Sequence, residues 1–162
     1  AMADGTVVDC FRSAVDHQPG EDRNDGEPGG GNLYYIDHGD GIVALYAHLR
    51  GAEGASTQDA ADINTAFDKF CPTDGYQFDG KTVQSGEVIG YLGNTGNSSQ
   101  PHIHVHVSQG WNFINDGDGV PLLWEALTAR LAYGADGDPA TEPWFLVNDE
   151  ALPSRINMLV WQ

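Results

Sequence analysis

The chain is short of positive charge. Its 162 residues hold 24 acidic and seven basic side chains, for a net charge of -17, and its lysines are Lys69 and Lys81 alone. Such a surface repels nucleic acid and anionic lipid, which excludes polyanion binding as its function. It suits a salty environment or a cationic partner. No apolar run is long enough to cross a membrane, so no insertion is expected. No signal-peptide pattern stands at the start, where Ala1-Met2-Ala3 reads as a vector scar or a cut site. There is no internal repeat and no low-complexity tract. No Gly-x-Ser-x-Gly elbow is present, which removes the support for a serine triad and leaves Ser98 and Ser99 as turn residues. Cysteine is scarce too. Cys10 and Cys71 lie far apart and in no Cys-x-x-Cys spacing, so a thiolate metal knuckle is excluded. A disulfide closing a long loop in an oxidising compartment is the expectation, and two buried thiols are the alternative. Neither cysteine has a histidine or basic group close by in sequence to activate it as a nucleophile.

What the chain does have is histidine in a pattern. Gly96 to Val107 reads Gly-Asn-Ser-Ser-Gln-Pro-His-Ile-His-Val-His-Val, which sets His102, His104 and His106 at alternate positions. In an extended strand alternate side chains share a face. Three imidazoles on one face make a metal-binding or acid–base surface. The bland reading, a solvated polar edge, holds better for one histidine than for three in register.

Strand signals dominate elsewhere. Gly5 to Phe11, Asn32 to His38 and Ile42 to Leu49 read as strands, the last two joined by a tight Gly39-Asp40-Gly41 turn. Val15 to Gly31 reads as an exposed loop. Thr57 to Phe70 has helix character inside an insert at about 51–80. Val88 to Leu92 and Pro101 to Val107 read as further extended segments. Pro121 to Tyr133 has helical spacing behind a proline and predicts a C-terminal helix. Short strands are expected in Glu142 to Gln162. Trp111, Trp124, Trp144 and Trp161 read as core anchors. Mainly β architecture in one domain follows, with a core over 1–110 and an extension over 111–162 packed on it.

Four blocks occur in order: Tyr-x-Ile-Asp-His-Gly-Asp-Gly, Leu-Tyr-Ala-His-Leu, Val-x-x-Gly-Glu-Val-Ile-Gly-Tyr-Leu-Gly-Asn-Thr-Gly and Pro-His-Ile-His-Val. In these the chain resembles the lysostaphin/LytM-type zinc metallopeptidases, over about Ala3 to Val107. The resemblance implies a compact antiparallel, barrel-like β core with a groove on one face. It implies zinc, and as substrate the cross-bridges of peptidoglycan or glycine-rich peptides. An extracellular or periplasmic setting goes with it. His104 corresponds to the metal ligand of the Pro-His-x-His motif. His102 and His48 correspond to catalytic residues that orient or polarise water and substrate. His106 stands where that family often has an acidic residue and reads as a surface group. His38 reads as a turn residue, and His17 as a poor ligand candidate.

That family takes two more ligands from an upstream His-x-x-x-Asp block, and no such block occurs in these residues. Catalytic zinc ordinarily takes three protein ligands and a water. Three expectations follow. The chain is a piece whose upstream ligands lie elsewhere; or it is a degenerate scaffold that binds cell wall or a regulatory partner without cutting; or His106, His17, Asp22 or Asp25 rebuilds the site. A structural domain of a surface protein is a further class. If strands are missing upstream, a partner segment or a second copy is expected to cover an open sheet edge.

Overall fold

Gly5–Phe11 forms β1, Asn32–Asp37 forms β2 and Ile42–Leu49 forms β3 in a computed structural model of the chain. The structure describes residues 1–20, 28–73, 80–110 and 119–120, and the backbone of strands within 123–161. β1 to β3 are the segments in which β-branched and aromatic residues concentrate, and such residues suit a pleated, half-buried surface. β2 and β3 meet antiparallel through the expected turn. Ile42 N–H donates to the Gly39 carbonyl at 2.8 Å and His38 N–H to the Ile42 carbonyl at 2.8 Å. Asp40 sits there at φ 52°, a left-handed conformation that aspartate tolerates better than most residues.

Thr82–Val83 forms the short β4 and His104–Gln109 forms β5. The sheet runs β4-β1-β2-β3-β5, with every pairing antiparallel. The fold is therefore mainly β, built on a five-stranded antiparallel sheet with one helix among the described residues. The outer edge of β1 is taken over Gly5 and Thr6 by β4.

The helix, α1, spans Thr57–Phe70, as its spacing predicts. Ser56 caps it, its hydroxyl accepting from Asp59 N–H at 3.2 Å, and Asp59 in the first turn complements the helix dipole. Ile63, Ala66, Phe67 and Phe70 form its buried face. Phe67 stacks on Tyr34 of β2 at 5.5 Å and Phe70 meets the same ring edge-on at 6.5 Å. Arg12 locks the helix from the sheet side, reaching Asp68 at 2.5 Å and Asn64 at 3.1 Å. Cys10 and Cys71 are joined as a disulfide with Cα atoms 6.0 Å apart, which ties the end of α1 to β1.

The chain divides into two units, Ala1–Gly119 and Val120–Gln162. In the second, Leu123–Trp124 (β6) pairs with Glu150–Ala151 (β9), while Leu127–Leu131 (β7) lies between Phe145–Val147 (β8) and Met158–Trp161 (β10). The helix expected over Pro121 to Tyr133 is thus replaced by strand. Leu127-Thr128-Ala129-Arg130-Leu131 alternates apolar and polar, and pairing on both sides decides between that period and the helical one. The short strands expected beyond 142 are present. Trp111 and Trp144, like Asp22 and Asp25, lie outside the described residues; Trp124 and Trp161 lie in strands described by backbone alone. Among the described residues, no helix is long and apolar enough to cross a membrane.

Candidate metal centre

Three histidines from three places come together. His104 opens β5, His48 lies near the end of β3, and His102 precedes β5 in an isolated bridge to Gly93. Each offers a ring nitrogen, and these nitrogens lie within 4.8 Å of one another. The His48 ring centroid is 4.6 Å from that of His102 and 6.1 Å from that of His104.

The approach of His48 depends on a break in the strand. Ala47 pairs directly with His104, so these two share a face, and a regular strand would turn His48 to the other side. The register against β2 slips here. Asn32 pairs with Leu49 and Tyr34 with Tyr46, so three steps on β3 oppose two on β2. His48 sits in this bulge with φ 60°, a left-handed conformation unusual for a residue with a side chain. Bulges re-aim side chains beside functional sites, and this one brings the imidazole toward His102 and His104.

Backbone carbonyls hold two of the rings. His48 Nδ1 lies 2.8 Å from the Thr95 carbonyl and His102 Nδ1 2.9 Å from that of Gln100. Burial pushes the His48 imidazole below its ordinary pKa, with His102 adding to the shift and the Thr95 hydrogen bond opposing it. His104 is lowered as well, by burial first and then by the neighbouring His48, His106 and His102. The His48 and His104 rings are therefore biased toward the neutral form that binds metal. Neutral imidazole nitrogen is a donor that a borderline-soft ion such as zinc accepts, so the chemistry of the cluster fits the ion expected from the sequence.

The alternation of histidines is realised only in part. His104 and His106 lie within β5 with rings stacked at 6.4 Å, whereas His102 stands outside the strand. His106 is half-buried and not one of the clustered three. His17 is buried and is not one of the clustered three; its backbone N–H donates to the Asn94 carbonyl at 3.3 Å. His38 is a turn residue whose ring contacts the Asp4 carbonyl at 2.9 Å. Sequence reasoning missed the buried supports Asn94 and Thr95. The Gly-Asn-Thr-Gly run that contains them was the available signal.

Beside the cluster the chain presents Leu92 and Ile103, both exposed. Leu92 bridges Leu49, the residue after His48, and Ile103 lies between His102 and His104. The arrangement offers neutral nitrogen bases or ligands next to apolar surface, which is chemistry suited to polarising and hydrolysing a bound amide.

No family model matches the chain. Over 111 residues it is 38% identical to the DD-carboxypeptidase/endopeptidase Mpg of Neisseria meningitidis serogroup B, the match taking 66% of this chain and 20% of that protein. The protein of the same name from Neisseria gonorrhoeae gives the same identity and coverage. The chain thus spans about a fifth of the length of the curated relatives it matches, and it is similar over two thirds of its own length to proteins named as peptidases.

Proposed function

We propose that the chain is the core of a zinc-dependent endopeptidase that acts on peptidoglycan cross-bridges or glycine-rich peptides. The observation that carries this reading is the convergence of His48, His102 and His104. The similarity to named carboxypeptidase/endopeptidases supports the reaction class. In this reading His104 is a metal ligand that acts with further ligands supplied from outside the described residues, and His48 and His102 are the catalytic pair. A bound zinc ion would supply Lewis acidity toward the peptide carbonyl and a water acidified to a pKa of about 7. His48 and His102, held by carbonyls at Nδ1, would accept a proton at the opposite nitrogen or polarise the substrate. Leu92 and Ile103 would receive the apolar parts of the peptide. The Cys10–Cys71 disulfide supports an extracellular or periplasmic location.

The test is digestion of purified peptidoglycan by the chain, with products separated and weighed by mass spectrometry. The expected result is new peptide termini, lost on chelation, restored by zinc, and reduced at least 100-fold in His104→Ala. A second reading is favoured by one observation: no carboxylate joins the three histidines among the described residues. Here the chain is a scaffold that holds cell wall without cutting. Sedimentation with peptidoglycan and no release of peptides would select it.

A further inference from the structure

The loop Asn94–Ser98 touches both catalytic candidates, and its hydrogen bonds run in one direction. A carbonyl oxygen can only accept. His48 Nδ1, at 2.8 Å from the Thr95 carbonyl, must therefore carry the proton. The same holds for His102 Nδ1, at 2.9 Å from the Gln100 carbonyl. Ser98 Oγ lies 3.2 Å from that nitrogen, so it accepts there and sends its own proton onward. Its one proton is shared between two acceptors in reach, Asn94 Oδ1 at 2.8 Å and the Gln100 carbonyl at 2.9 Å. Asn94 is oriented in turn. Its Nδ2 donates to the carbonyls of His17 at 3.1 Å and Gln18 at 3.5 Å, which leaves Oδ1 to face Ser98.

The loop is anchored well enough to impose this order. Asn94 and Thr95 are fully buried. Thr95 Oγ1 accepts from Asn32 N–H at 2.9 Å and donates to the Leu49 carbonyl at 2.8 Å. Asn94 N–H donates to Asp16 at 2.6 Å and Asn97 N–H to the Gly29 carbonyl at 3.0 Å. The loop is thus stitched to β2, to the end of β3 and to the segment after β1.

We propose that this loop is a tautomer clamp. Thr95 through its carbonyl holds His48, and Ser98 braced by Asn94 adds to the Gln100 carbonyl in holding His102, both in the Nδ1–H form, so that both rings present an Nε2 lone pair. Ser98 is then a positioning residue for His102 and more than a turn former. Its effect on rate rests on the peptidase reading; its effect on the tautomer does not.

The experiment separates the two. Long-range proton–nitrogen NMR on the nitrogen-15-labelled chain at pH 8, without metal, reads the tautomer of each ring. The expected wild-type spectrum has both His48 and His102 protonated at Nδ1. In Ser98→Ala the His102 signals shift toward a mixture of tautomers, His48 stays as an internal control of folding, and Ser98→Thr restores the wild-type pattern. A wild-type His102 protonated at Nε2 overturns the proposal, as does a Ser98→Ala spectrum with His102 unchanged. The wild-type measurement decides the Nδ1–H form, and Ser98→Gly, which also removes the hydroxyl, reads the part played by Ser98 if the alanine variant fails to fold. In the peptidoglycan assay, Ser98→Ala is expected to lower kcat about tenfold with KM unchanged, the low end of the about 10- to 100-fold lost when a partner that orients a metal-ligating histidine is removed. An inactive wild-type chain would sink the peptidase reading and leave the tautomer result standing.

Discussion

Gly31 shows how little freedom the site's support has. It adopts φ 59°, and a Cβ placed on it would meet Thr95 Oγ1 at 2.3 Å. Gly96, at φ 69°, faces Gly31 from the other side, with the Gly31 nitrogen 2.3 Å from its own would-be Cβ. The loop that holds both catalytic candidates therefore crosses the start of β2 with no room for a methyl group. Gly31→Ala is expected to destabilise the fold by about 1–3 kcal/mol, since alanine adds strain at positive φ as well as a clash. A urea melt measures it; an unchanged midpoint would mean that the crossing is looser than its geometry. The histidines make a second prediction at this scale. His48 and His104 sit below their ordinary pKa, chiefly because burial disfavours the charged ring. Below about pH 6.5 the unfolded chain binds protons at these positions that the folded chain refuses, so stability falls as pH drops through that window. Urea midpoints at pH 7.5 and pH 5.5 should differ in that sense. The difference should shrink in a His48→Gln, His104→Gln variant; an equal pH dependence in that variant would assign the effect to other groups.

At the scale of elements, the disulfide and α1 form one device. Reducing the bond frees a loop of 61 residues, and the chain-entropy estimate for a closure of that length is about 4 kcal/mol. A Cys10→Ser, Cys71→Ser variant should therefore lose roughly 2–5 kcal/mol in a denaturant titration. A loss well under this range would show that Arg12 and the Phe67 and Phe70 contacts hold α1 without the bond. How much of this was legible differs by element. β1, β3 and α1 fall where alternation, the Asp-Gly turn and helical spacing put them, because each pattern agrees with its partner's. β7 went the other way, since a short apolar stretch serves either period and strand partners distant in sequence chose between them. The site was legible in parts. Local alternation supports His104, but it would place His48 across the sheet, and only the likeness of Leu-Tyr-Ala-His-Leu to a known block pointed to it. The bulge at His48 has no local signal, because nothing in Ala47-His48-Leu49 announces a left-handed histidine.

Across the whole molecule, charge sets the conditions under which the fold is stable. Seven cations cannot pair 24 anions. The described ion pairs, Arg12–Asp68, Arg50–Asp59 and Lys69–Glu87, engage three of the seven at exposed or half-exposed acidic partners. Exposed pairs contribute about 0–1 kcal/mol each and weaken in salt. The remaining negative charge repels itself more strongly in the compact state than in the open chain, so screening should favour folding. Raising sodium chloride from about 0.01 M to about 1 M shortens the screening length from about 30 Å to about 3 Å. Two opposing terms change together: a few weak attractions are lost, and a net charge of -17 is screened. The second involves many more pairs of charges, so the thermal midpoint should rise with salt. Chloride is preferable to sulfate, which strengthens apolar burial on its own account. A midpoint that falls with salt would mean that the arginine pairs on α1 outweigh the repulsion, and an Arg12→Gln, Arg50→Gln variant would then lose that dependence.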